Sequence, residues 1–199
     1  DPDPIRDAEV RPQEGIAERG VAAGVGDGLA GAIRFASACL EFGIAPIIGI
    51  NLAIDLLADP NIKSASTKNL PRVTVLAHGD GGWRALVRLL SGLNMNATDR
   101  TPILTLDLLQ RFSQYSTQLH LLHGPESPVS QALVLHRSDI ALEIFNKTRP
   151  LFGDHAIDCV SHLVAGKGPF STAHAARSLI FARDHDIDAV ITNAVRMRD

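Results

Sequence analysis

Cysteine is scarce in this sequence, which places only Cys39 and Cys159 in 199 residues. Two cysteines at no metal-like spacing predict neither a disulfide framework nor a cysteine zinc site, and they favour a reducing compartment. Long hydrophobic runs are missing too. The longest, residues 44–54, is interrupted by Pro46 and Asn51 and is too short to span a bilayer. No signal peptide is recognisable. These absences favour a cytoplasmic protein with no membrane partner.

Positive charge is not in excess, because 19 Lys and Arg residues stand against 22 Asp and Glu residues, a net charge of −3. This balance provides no general attraction for nucleic acid. A hydrophobic fraction of 45% can form a core, and 199 residues suit one domain or a large part of one. The chain starts at Asp1 and stops soon after a predicted strand, so we expect it to be a piece of a longer protein.

The stretch from Gly43 to Asn51 gives the clearest structural signal. Glycine at position 43 suits the left-handed residue that ends a helix. The apolar run around Ile47 and Ile48 predicts a strand over 44–50 that is covered on both faces, with Pro46 tolerated early in it. Because functional side chains in such folds follow the carboxyl ends of strands, Asn51 is a candidate site residue.

Strand and helix alternate along the rest of the chain, which predicts an α/β fold with a mainly parallel sheet or barrel. On the first helix, Leu29, Ile33, Ala36 and Leu40 share one face, as in an amphipathic helix that packs on a core. Residues 79–82 predict a turn before a helix. Three side chains predict helix N-caps: Thr105, Ser138 and Ser171. The i,i+4 spacing of Glu143 and Lys147 predicts an ion pair on the helix 139–148. The predicted strands are 21–25, 44–50, 72–77, 118–122, 157–161 and 189–192, and the later helices are 83–93, 105–112, 129–135, 139–148 and 171–185.

Several of these segments, taken in order, resemble the N-terminal PHP (polymerase and histidinol phosphatase) domain of the bacterial DNA polymerase III alpha subunit. The resemblance is carried by 28–36 followed by 42–49, by the strand 73–77 with the helix 81–91, by 151–153 before a strand, and by 190–195. It covers residues 14–199 and is closest to a divergent, actinobacterial-like branch. Residues 1–13, polar and rich in proline, are expected to form a loose or divergent arm outside the domain.

The resemblance implies a distorted (β/α)7 barrel, here incomplete. Metal-dependent members of the family hold two or three metal ions on His, Asp and Glu ligands and hydrolyse phosphoesters. The parent polymerase adds deoxynucleotides to DNA with Mg²⁺ on carboxylates of a palm domain beyond residue 199. Position by position, the ligands of the family are replaced in this chain, and no histidine stands in residues 1–13. The vacated positions are Val25, Gly26, Asn51, Ala194 and Arg196.

Two residues remain as weak candidates for metal ligation, His162 and Asp27. A single imidazole cannot hold a metal cluster, and Asp27 between two glycines is typical of a turn or a helix cap. His120 and His123 lie three residues apart on one strand and so point to opposite faces, which does not suit a shared ion. The sequence of this segment therefore predicts no catalytic residues and no cofactor of its own.

The resemblance favours a degenerate, non-catalytic scaffold that packs against the polymerase core of the same chain and meets DNA only through the parent enzyme. By itself the segment is expected neither to polymerise nor to cleave, and the sequence leaves open the choice between a replicative and a translesion parent. Two alternatives stay open. One is a free-standing metal-dependent phosphoesterase. The other is a dinucleotide-binding domain, because residues 26–31 read G-x-G-x-x-G before a helix.

Overall fold

The computed structural model describes residues 21–26, 29–55, 70–95, 102–158, 166 and 168–192. The strands in this part are β1 (Val21–Gly26), β2 (Ala45–Asp55), β3 (Arg72–Ala77), β4 (Ile103–Thr105), β5 (Leu119–His123), β6 (Asp154–Asp158) and β7 (Ala189–Val190). The helices are α1 (Ala32–Glu41), α2 (Gly79–Met95), α3 (Leu106–Ser116), α4 (Pro128–Val134), α5 (Ser138–Thr148) and α6 (Thr172–Asp184), with a short 3₁₀ turn at Arg149–Leu151.

All of the described strands join one sheet in the order β1-β2-β3-β5-β6-β7, with β4 pairing to β2. Four pairings are parallel, namely β1 with β2, β2 with β4, β5 with β6 and β6 with β7. β3 alone runs antiparallel to both of its neighbours, β2 and β5. The sheet curls into a half-barrel, which confirms the predicted α/β architecture with mostly parallel strands.

β2 is longer than the sequence predicted and organises the sheet. It pairs with β1 over residues 45–50, with β3 over 49–53 and with β4 over 53–55. Since Ala53 pairs with both β3 and β4, those two strands lie on opposite edges of β2, and β4 therefore follows β1 along the same edge. Pro46 lies before the first residue that pairs with β3, where a missing N–H costs no bond to that strand.

Two apolar clusters form the core. In the first, β2, β3 and β5 pack against α2 and α3 through side chains such as Leu52, Val75, Leu86 and Leu121. In the second, α4, α5 and α6 pack together beside β6 through Leu133, Phe145, Ile157 and Phe181. None of the helices within the described residues has the length and apolar character needed to cross a bilayer.

Several local predictions are confirmed. Gly43 has a φ of 66° just after α1, as a left-handed helix stop requires. Thr105 caps α3 by accepting a bond from the Leu108 N–H at 3.4 Å, and Ser171 caps α6 by accepting from the His174 N–H at 3.2 Å. On α5, Lys147 Nζ and Glu143 Oε1 form the i,i+4 ion pair at 2.7 Å that their spacing suggests.

Other local predictions are wrong. Residues 79–82 are the first turn of α2 rather than a separate turn, since the Gly82 N–H already donates to the His78 carbonyl at 3.1 Å. Ser138 does not cap α5, because it is the first residue of that helix and the N-cap position is Arg137, whose guanidinium bonds the Asp139 carboxylate. The last strand is shorter than predicted, ending at Val190.

The predicted face of α1 is only partly buried. Leu29, just before the helix, packs against the first core cluster and Ala36 is half-buried, as predicted. Ile33 and Leu40 are exposed, whereas Cys39 is buried and the ring of Phe35 covers Gly24 so closely that a Cβ there would lie 2.7 Å from it. Phe35 and Cys39 are four residues apart and share a face. The helix therefore has apolar residues on two sides, and the close approach to glycine on β1 selects the side that carries Phe35.

Candidate functional site

The face of the sheet opposite the helices lines the hollow of the half-barrel. On β2, alternate side chains Ile50, Leu52 and Ile54 are buried against the helices, so the residues between them point to the other face. Cα register then aligns Asn51 with Thr74 and Ala53 with Arg72 on that inner face. The inner face therefore brings one predicted site residue, Asn51, beside two residues of β3.

Asn51 lies in the middle of β2, not at its end as the sequence predicted. The difference arises because β4 and β3 extend the pairing of β2 to Asp55. The Asn51 side chain is engaged on both sides. Its amide nitrogen donates to Thr74 Oγ1 at 3.4 Å, and its amide oxygen accepts from Arg72 Nε. The Arg72 Nη2 atom also donates to the Asn51 backbone carbonyl at 2.9 Å.

Arg72 is held in place by its own backbone as well as by its side chain. Its N–H donates to the Glu126 carbonyl at 2.9 Å, and the neighbouring Pro71 carbonyl accepts from the Ile54 N–H at 2.9 Å. These bonds fix the start of β3 between β2 and the loop that follows β5. The guanidinium is therefore positioned over Asn51 by strand pairing rather than by a flexible loop.

This arrangement does not fit a metal ion at Asn51. A guanidinium carries only donors and a permanent positive charge, so it can neither ligate a cation nor tolerate a divalent one close by. The amide oxygen that a hard cation would use is already bonded to Arg72. Asn51, Arg72 and Thr74 are suited to tie β2 to β3, and they provide no group that could activate water.

The other predicted positions fall into two groups. Val25 lies on the same inner face, in register with Gly49, and is 44% exposed, while Gly26 ends β1. Neither residue has a side-chain atom that could bind a cation, so both positions carry no ligating chemistry. Asp27, His162, Ala194 and Arg196 lie outside the described residues.

In the part of the chain that the structure describes, no group of three or more His, Cys, Asp or Glu side chains lies close enough to hold a metal ion. His120 and His123 do point to opposite faces, as their spacing predicts. His120 is half-buried on the inner face, and its ring lies 5.3 Å from that of His78 in an edge-on contact. His123 is fully buried on the helix side, with its Nε2 atom 3.4 Å from Thr148 Oγ1.

A pocket of about 540 Å³ opens at the other end of the inner face. Apolar side chains of β2, β3, β5 and β6 line it together with His78 and His120, and Asp188 lies beside them. The pocket extends along the inner face to Leu122. Leu122 is in register with Thr74, the residue that the Asn51 amide contacts.

Sequence reasoning missed two residues. Arg72 opens a predicted strand, and nothing in the sequence indicates which residue of β2 lies opposite. The second is His174, which is 2% exposed on α6 and has its Nε2 atom 3.3 Å from Ser178 Oγ. The i,i+4 spacing of His174 and Ser178 is a helix-neighbour signal that would have found this pair. Burial lowers the pKa of His174, and the charge of Arg177 lowers it further.

Comparison with known proteins places the chain in a family. A family model described as PHP domain matches residues 12–162. Since this match spans more than half of the chain, the chain belongs to the PHP domain family. No curated protein matches it.

Among solved structures, the chain is similar to a Bifidobacterium adolescentis protein described as a metal-dependent phosphoesterase. The two are 12% identical with a TM-score of 0.41, over 87% of this chain and 74% of the other. Values this low carry no argument about activity. The fold is also unlike the dinucleotide-binding alternative, because β3 is antiparallel and β1, among the described strands, pairs only with β2.

Proposed function

We propose that this chain is a PHP domain of the DNA polymerase III alpha type whose metal site has been replaced by a structural contact, and that it acts as a scaffold without hydrolytic activity. The observation that carries the proposal is the Arg72 guanidinium bonded to both the side chain and the backbone of Asn51. At a position where a metal-dependent member of the family has a carboxylate, this chain has a neutral amide bound to an internal cation.

Electrostatics supports this reading. A permanent positive charge a few ångströms from a would-be metal position repels a divalent ion, and the effect grows as water is excluded. The hydrocarbon of Val25 and the absence of a side chain at Gly26 remove two further positions on β1 where ligands would be needed. A cluster that activates water needs several anionic or imidazole ligands converging on it. These residues together favour structural stability over catalysis.

The polymerase origin is supported by the order of the sequence motifs, with the strand–helix unit 73–91 as the longest of them. In this proposal the partner of the domain is the polymerase core of the same parent chain, DNA is met through that parent, and Mg²⁺ serves the parent's palm domain. DNA downstream of the last codon should then encode palm-domain carboxylates. A stop codon or an unrelated domain there would contradict this origin.

Metal binding and hydrolysis test the loss of the active site. The chain, treated with chelator and then incubated with Mn²⁺ or Zn²⁺, should retain no stoichiometric metal after desalting, as measured by elemental analysis. It should release p-nitrophenol from p-nitrophenyl phosphate no faster than buffer containing the same metal. Tight metal retention together with metal-dependent hydrolysis would overturn the proposal and revive a free-standing phosphoesterase.

The structural role of Arg72 is tested by substitution. Arg72→Met removes the two side-chain hydrogen bonds that Arg72 donates to Asn51 and leaves the half-buried amide oxygen of Asn51 without its donor. It should cost about 1–3 kcal/mol of unfolding free energy, measured with urea. The matched control Arg84→Met, at an exposed position of α2, should stay within about 0.5 kcal/mol of wild type. Equal stability of the two variants would show that the contact is dispensable.

A further inference from the structure

The outward face of α1 is unusually apolar. Ile33 is 68% exposed and Leu40 is 64% exposed, and Phe42 just after the helix is 79% exposed. Among the described residues, these are three of ten large hydrophobic side chains that are exposed, and they lie within ten residues of one another. Single exposed apolar residues are ordinary, but a cluster of them marks an interaction surface.

The spacing of this face makes it self-complementary. Ile33 and Leu40 are seven residues apart, so they stand two turns apart along one line of the helix, about 10 Å from end to end. Arg34 and Glu41, both exposed, are also seven residues apart and form a parallel line beside the first. The apolar line therefore runs next to a line that carries one positive and one negative charge at its two ends.

We propose that α1 is the docking surface for a second copy of this chain, with the two α1 helices packed antiparallel about a two-fold axis near Ser37. In that arrangement Ile33 contacts the partner's Leu40, and Arg34 pairs with Glu41 of the partner subunit. The two-fold axis repeats each contact, as an isologous interface requires. Ser37, small and exposed, lies where the helices cross and allows a close approach.

Charge is what selects the occupant. An unrelated apolar partner would need only Ile33 and Leu40. In an antiparallel pair of α1 helices, however, Arg34 of each copy also lies opposite Glu41 of the other copy, so the charges are complementary. One helix per subunit buries less than the roughly 1,200 Å² typical of stable complexes. The dimer should therefore be weak, dependent on concentration and sensitive to salt. The proposal does not depend on the polymerase origin.

Sedimentation equilibrium over a wide concentration range tests the dimer. The wild-type chain should approach twice the mass of one chain at high concentration. Leu40→Asp should stay monomeric, and R34E should weaken association at least tenfold by opposing two carboxylates. The double variant R34E/E41R should restore association, because the ion pairs are then re-formed with exchanged signs. Leu135→Asp, a matched change at a side chain 72% exposed on another helix end, should leave association unchanged.

Thermal unfolding of each variant separates association from folding. The variants should melt like wild type at a concentration where wild type is monomeric. A wild-type chain that is monomeric at every concentration would overturn the proposal. So would a double variant that associates no better than R34E. If Leu40→Asp lowered the melting temperature of a strictly monomeric chain, the face would be covered by residues of the same chain, and the second copy would be excluded as its occupant.

Discussion

The two halves of the core differ in the polar groups that are buried around them. Each of the two clusters itself consists of apolar side chains. Every polar side chain that is buried in the described residues lies in the second half of the chain, around α4, α5 and α6. These residues are His123, Ser127, Ser130, Thr148, Ser171, His174 and Ser178. One half is thus stabilised by area removed from water, and the other also depends on hydrogen bonds being made.

Buried polar groups stabilise a fold only while their partners are present. Thr148 Oγ1 donates to the Phe145 carbonyl at 3.0 Å, and Ser127 Oγ accepts from the Ser130 N–H at 3.2 Å. Burial of His174 beside Ser178 lowers the pKa of its imidazole and so disfavours the charged form, and the nearby charge of Arg177 adds to this effect. The stability of the two halves should therefore respond differently to a cavity, to a change in pH and to the loss of a single hydroxyl group.

The largest effect is expected from a cavity in the apolar cluster. Leu86→Ala removes a side chain with no exposure at the centre of the α2 contact with the sheet. It should lower the free energy of unfolding by about 2–5 kcal/mol, measured with urea. Leu135→Ala, at a largely exposed position, is the matched control and should change it by less than about 0.5 kcal/mol. Similar losses for the two variants would mean that the first cluster is not packed as described.

A smaller effect is expected from acid, and only in the second half. Because burial holds the folded-state pKa of His174 below its unfolded value of about 6.5, the unfolded chain binds more protons. The neutral imidazole contributes stability that is present above pH 6.5 and is lost as the pH falls below it. Hydrogen exchange, corrected for intrinsic rates, should therefore show that α6 loses more protection than α2 when the pH is lowered from 7.5 to 5.5.

His174→Gln provides the control for this pH response. Glutamine keeps a polar side chain near Ser178 and does not titrate, so the relative protection of α6 and α2 should then vary less with pH. If α2 lost protection as fast as α6 in the wild-type chain, the contrast between the halves would be wrong.

The smallest effect concerns a single helix cap. Ser171→Ala removes the acceptor for the His174 N–H and should cost about 1 kcal/mol. Ser138→Ala, which changes a serine that lies inside α5 rather than at its cap, should cost only a few tenths of that. Urea unfolding of the two variants side by side measures the difference. A larger loss for Ser138→Ala would reverse the cap assignments.

Features that depend on a few neighbouring residues were predictable from the sequence. The stop at Gly43, the caps at Thr105 and Ser171 and the Glu143–Lys147 pair each involve groups at most four residues apart. The bounds of β3 were predicted as well, because Arg72–Ala77 is a clear apolar-rich strand between polar segments. Strand and helix alternation was therefore enough to give the fold class.

Features that depend on distant partners were not predictable. The face that α1 buries is set by the close approach of Phe35 on α1 to Gly24 on β1. The sequence also has an apolar side at Ile33 and Leu40, so it does not indicate which side is buried. The Asn51 contact with Arg72 needs the antiparallel register of β2 and β3, which are joined by a long polar segment. The sequence could indicate that a carboxylate is missing at position 51, but not that an arginine stands beside the amide that replaced it.

The central position of β2 has a consequence for synthesis on the ribosome. β1, β3 and β4, the strands that pair with β2, are all contained in residues 21–105. A nascent chain can therefore assemble the middle of its sheet, with α2 against it, while the polypeptide that forms α4 to α6 is still inside the exit tunnel. The half that contains the buried histidines and hydroxyls is then added onto strands that are already paired, and the first core cluster is completed when β5 and Phe152 join it.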